Sequence, residues 1–159
     1  MKRDLAIVAG SFDPMTLGHR DLIEAAAKRY GQVVVAVMVN DAKQTLFDME
    51  TRVRIAEATV AGLANVRVIA DRGMLIDLFD RLGADAVCKG YRDETDLAYE
   101  RVQDEWNRAH NPRFRTDLIP ASGAHAHVSS TEVRQKLANG EAVNGLVAEG
   151  AIPLISDKK

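Results

Sequence analysis

The ten residues Gly10-Ser11-Phe12-Asp13-Pro14-Met15-Thr16-Leu17-Gly18-His19 leave a short apolar run and enter a stretch with helical spacing. A glycine and a serine leaving a strand let backbone N–H groups come close to an anion. The helix N-terminus that follows adds unpaired donors and about half a positive charge. Thr16 and His19 stand one helical turn apart, so a hydroxyl and an imidazole are expected on the same side of that terminus, both aimed at the anion. Phosphate suits this arrangement. On these residues alone a glycine-rich strand-to-helix turn with incidental polar side chains stays open. Lys43, in Asn40-Asp41-Ala42-Lys43-Gln44, and the Lys89-Gly90-Tyr91-Arg92 segment each follow later apolar runs, where a solvated lysine or an exposed cationic turn is the plainer alternative. His125 and His127 have a spacing that invites a metal, but no further His, Cys or carboxylate cluster accompanies them, and no protein-held metal is expected.

These residues need elements to position them. Short β-branched runs alternate with longer helical stretches, and strands are expected at Leu5–Ala9, Val33–Val39, Val66–Ile69, Ala86–Cys88 and Asp117–Ile119. Most are continuous apolar runs, as in a parallel sheet covered on both faces. Helices are expected from Gly18 to Tyr30, from an Asp48 N-cap to Gly62, over Met74–Leu82, over Glu94–Ala109 and over Ser129–Asn139. The long helix is expected to bury Leu97, Val102 and Trp106, and the last to open with a capping box of Ser129 and Glu132. The pattern predicts an α/β, Rossmann-like, doubly wound five-stranded parallel sheet with helices on both faces, formed by residues 1–159 as a single domain. Ligands of such sheets bind outside the carboxyl ends of the strands, at the switch in strand order.

Composition narrows the function classes. With 21 basic and 23 acidic side chains the formal charge is −2, so no global positive field exists to hold a nucleic-acid backbone. Aromatics make up only 5%, which supplies no series of stacking platforms for single strands. The longest apolar run, Val33 to Val39, spans seven residues against about 20 for a membrane helix. Cys88 has no cysteine to pair with, and MKRDLAIVAG lacks the apolar core of a signal peptide, so a cytoplasmic protein with no membrane partner is expected.

GSFDPMTLGH resembles the first strand-to-helix junction of the nucleotidyltransferase superfamily that carries a T/HxGH motif, with Thr16-Leu17-Gly18-His19 as the tetrad. Val128-Ser129-Ser130-Thr131-Glu132-Val133-Arg134 is similar to the ISSTxxR motif that closes the same site. Ala86-Val87-Cys88-Lys89-Gly90-Tyr91-Arg92 stands where the family has a strand followed by RGLR, with Lys89 replacing the first arginine. Over nearly the whole chain the layout resembles the bacterial phosphopantetheine adenylyltransferases. The resemblance implies transfer of AMP from ATP to 4′-phosphopantetheine, giving dephospho-CoA and pyrophosphate.

It also implies roles. His19 is expected to donate to the α-phosphate and Lys43 to bridge the reacting groups, as the catalytic pair. Ser11 meets the acceptor phosphate; Phe12, Gly90, Tyr91, Arg92 and Glu100 contact ATP. The loop His125, Ala126, His127 and Val128 covers adenine, and Ser129, Ser130 and Thr131 hold the outer phosphates. Lys89 and Leu75 serve the phosphopantetheine end. Lysine at 89 keeps the charge of the family arginine and loses its planar fork. The His125–His127 loop replaces an aromatic-rich family segment, with one residue inserted. Mg2+ bridging phosphate oxygens, a homohexamer and feedback inhibition by CoA come with the family. Two further readings are a transferase with another acceptor, such as nicotinate mononucleotide, and a non-catalytic ATP or CoA sensor.

Overall fold

Valines that alternate across one strand decide the layering of this molecule. In the computed structural model, which describes residues 4–39, 44–121 and 123–156, strand β2 (Gln32–Met38) sends Val33, Val35 and Val37 into one core and Val34 and Ala36 into another. All five are fully buried, each valine contributing about 1.5–3 kcal/mol of burial free energy. The first core includes Ile23 and Ala26 of α1 (Leu17–Arg29) and Ile55 and Ala56 of α2 (Met49–Thr59). Leu78 and Phe79 of α3 (Leu75–Leu82), with Phe114, fill the second.

The sheet is completed by β1 (Leu5–Gly10), β3 (Val66–Asp71), β4 (Ala86–Tyr91) and β5 (Thr116–Pro120). All pairings are parallel, in the order β3-β2-β1-β4-β5. The expected α/β, Rossmann-like five-stranded parallel sheet is therefore the fold, and strand order switches between β1 and β4. Their ladder is short. It pairs Ala6 with Ala86 and Ile7 with Val87, whereas β1 pairs with β2 through to Gly10 and β4 with β5 through to Tyr91. The two central strands part company at their carboxyl ends, and that parting opens the cleft described below.

β4 extends past the expected Cys88 because Lys89, Gly90 and Tyr91 pair with Leu118, Ile119 and Pro120; backbone pairing, not hydrophobicity, carries the strand into its polar end. Helix α4 (Glu94–His110) buries Asn107, while Val102 and Trp106, expected inside, are 61% and 46% exposed. Past α5 (Ser130–Ala138) a short 3-10 turn over Glu149–Ala151 and helix α6 (Ile152–Ser156) return to the first core through Ala151 and Ile155. No helix among the described residues is long and apolar enough to cross a membrane.

Candidate active site

A cleft of about 860 Å³ lies at the carboxyl ends of β1 and β4, where the strand order switches. Its walls bring together Ser11, Phe12 and His19 from the β1–α1 junction, Lys89 to Arg92 from the end of β4, and Glu100 from α4. His125, Ala126 and Val128, with Ser129 to Thr131, close the remaining side. Segments more than 100 residues apart in sequence thus meet around one space. Leu75 does not line it and packs beside the Leu78 and Phe79 core. His127 is exposed and outside the lining set. Lys43 lies outside the described residues.

The TLGH tetrad works differently from the spacing argument. Thr16 is fully buried and N-caps α1: its hydroxyl accepts from the His19 N–H at 3.3 Å, and its own N–H donates to His19 Nδ1 at 3.0 Å. This reciprocal arrangement is a capping box with histidine in the place usually held by Glu or Gln. The hydroxyl is therefore turned into the helix end, not toward an anion. A backbone N–H can only donate, so Nδ1 must be the acceptor, which assigns the ring proton to Nε2. Burial first, and the Arg92 charge second, push the His19 pKa from 6.5 down to about 4. At neutral pH His19 is an uncharged ring offering one N–H, its edge braced against Phe12 at 5.1 Å between centroids.

The two helix N-termini at the cleft are not equivalent. In α1, Leu17 N–H donates to Leu146 O at 2.9 Å and His19 N–H to Thr16, so that terminus is largely satisfied from within. In α5, Ser129 is the N-cap and accepts from Glu132 N–H at 3.2 Å. The reciprocal arm expected from the Glu132 side chain is not formed. Ser130 and Thr131 N–H groups have no acceptor among the described residues, and they stand at the positive end of the helix dipole. The Ser130 hydroxyl donates to Pro14 O at 2.7 Å, which commits its hydrogen, and the Thr131 hydroxyl accepts from Arg134 at 3.1 Å. What this motif presents to an anion is chiefly backbone.

Glycine at position 18 has a steric reason. A Cβ there would lie 2.9 Å from His125 O and 3.0 Å from Val128 O, both backbone atoms, so α1 is pressed against the turn that leads into α5. The cleft cations come with carboxylates. Lys89 Nζ is 3.1 Å from Glu100 Oε1, and Arg92 Nε is 3.7 Å from Asp96. Glu100, carried over from the family as an ATP contact, here faces Lys89 in the cleft wall. Cys88 also lines the cleft, but burial and the nearby Asp117 push its thiol up to about 12, so it is protonated and a poor nucleophile.

Three features were missed in the sequence. Asp13 is buried and accepts from Leu46 N–H at 2.8 Å and Phe47 N–H at 2.9 Å, tying the first loop to the lead-in of α2. Asp21 pairs with His125 Nδ1 at 3.0 Å across the α1 seam. Arg52 is 4% exposed on the buried face of α2, beside Ile55 and Ala56. Only Asp13, flanked by a glycine-serine turn and a proline, carried a local hint; the others depend on partners 5 to 104 residues away, most of them distant.

Residues 7–136 match the family model described as Cytidylyltransferase-like. Phosphopantetheine adenylyltransferase of Limosilactobacillus reuteri (strain DSM 20016) is 39% identical over 136 residues, covering 86% of this chain and 79% of the relative. The enzyme of the same name from Rubrobacter xylanophilus is 39% identical over 152 residues, covering 96% and 93%. That from Streptococcus pneumoniae (strain CGSP14) is 33% identical over 160 residues, covering 100% and 99%. A solved structure from Vibrio parahaemolyticus, named for nicotinate-nucleotide adenylyltransferase, superposes with a TM-score of 0.71 at 17% identity, over 99% of this chain and 93% of the other, a likeness of fold. With a switch-point cleft that holds both motif segments, and relatives of this identity along its whole length, the chain belongs to the phosphopantetheine adenylyltransferase family of cytidylyltransferase-like nucleotidyltransferases.

Proposed function

We propose that this protein transfers AMP from ATP to 4′-phosphopantetheine, releasing pyrophosphate and forming dephospho-CoA, a step of coenzyme A biosynthesis. The observation that carries the reading is the His19 imidazole, locked by Thr16 N–H so that Nε2–H is the free donor at a cleft that also receives the N-terminus of α5. An oxygen of the acceptor phosphate attacks the α-phosphorus, and the bond from that phosphorus to the bridging oxygen of pyrophosphate breaks. The acceptor is already an anion, so the protein needs no nucleophile of its own, which suits a protonated Cys88. Catalysis rests on positioning and on relief of charge.

Within that reaction His19 donates to an α-phosphate oxygen as charge builds, Ser11 orients the acceptor, and Lys43 bridges the reacting groups. Ser130 and Thr131 N–H groups, with Arg92, receive the outer phosphates. Lys89, paired with Glu100, receives the phosphopantetheine end. Mg2+ carried in with the nucleotide would supply relief of phosphate charge, and the Ser130 and Thr131 N–H groups with Arg92 would hold the polyphosphate that brings it. The donor set supports that route: the cleft's carboxylates Asp13, Asp21, Asp96 and Glu100 are each engaged by a backbone N–H, an imidazole or a cationic side chain, and no three metal-ligating side chains gather among the described residues.

Pyrophosphate release from ATP with 4′-phosphopantetheine tests the reading, with nicotinate mononucleotide as a competing acceptor and CTP with glycerol phosphate as a further pairing. Release with phosphopantetheine alone is expected. Nucleotide binding without release under every pairing would return the protein to the sensor class. The family reading also carries a cytoplasmic homohexamer inhibited by CoA. Light-scattering mass and CoA titration of the turnover rate test those two properties.

A further inference from the structure

Among the described residues, Arg52 is the one buried cation, and the adenylyl-transfer chemistry leaves its purpose unstated. It arises from α2, does not line the cleft, and has no carboxylate within ion-pair distance among the described residues. Its guanidinium instead collects three carbonyls: Phe47 O at 3.1 Å, Ser11 O at 2.9 Å and Met38 O at 3.3 Å. A desolvated charge satisfied only by dipoles is costly. An apolar side chain would fill the same volume without that cost, so the distinctive contribution of Arg52 is where it points those carbonyls.

The Ser11 carbonyl is the informative one. Ser11–Phe12 is a trans peptide, in which C=O and N–H point in opposite directions. Holding Ser11 O on the buried side directs the Phe12 N–H away from Arg52, toward the cleft that Ser11 and Phe12 line. Phe12 itself has φ +48°, a left-handed conformation that a bulky residue adopts only when its surroundings impose it. The Phe12 N–H has no acceptor among the described residues. Two later carbonyls of the loop are also drawn off, Asp13 O by Arg134 Nη1 at 2.7 Å and Pro14 O by Ser130 Oγ at 2.7 Å. The loop thus leaves the Phe12 N–H without an acceptor among the described residues, while three of its carbonyls are engaged by side chains.

We propose that Arg52 is a positioning residue that, through the Ser11 carbonyl, fixes the Phe12 N–H as a donor to a phosphoryl oxygen of the nucleotide. This rests on the adenylyl-transfer reading of the cleft. The test follows the Phe12 amide by ¹⁵N–¹H correlation while MgATP is added, in the full chain and in Arg52→Met and Arg52→Lys variants, alongside kcat and KM. In the unaltered protein the Phe12 resonance is expected to shift on ATP addition. In Arg52→Met that shift is lost and kcat falls roughly 10²-fold, the scale of one transition-state donor, with KM for ATP within about threefold. Arg52→Lys recovers part of both. An unchanged kcat in a folded Arg52→Met protein overturns the proposal, as does a Phe12 amide that responds to ATP equally with and without the arginine.

If neither variant folds, the unaltered protein still decides. The Arg52 guanidinium protons and the Phe12 amide sit at two ends of one peptide and must move together on ATP addition; movement of Phe12 alone, or of neither, sinks the idea. Absence of pyrophosphate release with phosphopantetheine would instead overturn the assigned reaction, and the ATP titration would still judge Arg52 separately.

Discussion

At His19, burial and the Arg92 charge push the pKa down to about 4, so at neutral pH the ring brings an N–H and no cation to the cleft. A neutral donor keeps its proton fixed by the Thr16 contact and costs nothing in orientation when charge develops on a phosphoryl oxygen. The sequence put His19 at the strand-to-helix junction and hid its protonation state, because that state depends on burial and on Arg92, 73 residues away. Two outcomes follow. Replacing His19 with Ala or Asn should lower kcat by roughly 10²–10³-fold with smaller changes in KM, read from pyrophosphate release; undiminished turnover would remove His19 from the chemistry. An NMR titration should place the His19 imidazole near pH 4, and Arg92→Ala should move it upward, since removing a neighbouring positive charge favours the protonated ring. A midpoint that ignores Arg92 would mean the two groups do not sense each other.

The elements that carry the site were legible wherever one face was apolar. The strands from β1 to β3 and helices α1 to α3 follow from valine runs and helical spacing. Legibility ended where the chain turns polar for function. The end of β4 is strand only because β5 pairs with it, and α6 escaped notice because the four-residue spacing of Val143, Val147, Ala151 and Ile155 crosses an isolated bridge and a 3-10 turn. The seam between α1 and the turn before α5 was equally hidden, although Gly18 marks it. Gly18→Ala tests that seam. Alanine has the better helix propensity by about 1 kcal/mol, which on an open helix would raise stability. Here its Cβ meets two backbone carbonyls at 2.9 and 3.0 Å, and overpacking of about 1–3 kcal/mol is the larger effect. The variant should melt roughly 2–8 °C lower, and KM for ATP should rise severalfold as the α5 N–H groups are displaced. A higher melting temperature than the parent would show that the seam yields freely.

For the whole molecule, keeping His19 neutral links the site to stability. Its folded pKa lies below the unfolded value, about 4 against 6.5. As pH falls through 6.5 the unfolded chain takes up a proton that the native state refuses, so the native state loses stability; below about 4 both states are protonated and the loss stops growing. The window is therefore pH 6.5 down to 4, and the native state is favoured on its alkaline side. A shift of this size corresponds to about 3 kcal/mol, a sizeable part of the roughly 5–15 kcal/mol that holds a domain folded. The pH dependence of stability sums over many groups, so the comparison must isolate one ring. Asparagine at position 19 can still accept from the Thr16 N–H and cannot take up a proton. Urea unfolding of the parent and of His19→Asn at equal protein concentration should give curves whose difference in free energy is constant from pH 8 to 7. It should then turn against the parent by up to about 3 kcal/mol between pH 6.5 and 4. Parallel pH dependences across that window would mean that the native ring protonates as readily as the unfolded one. MgATP should act the other way in the parent. Binding to the native state alone raises stability by about 2.7 kcal/mol at a hundredfold excess over Kd, which makes the cleft's occupancy readable as resistance to acid.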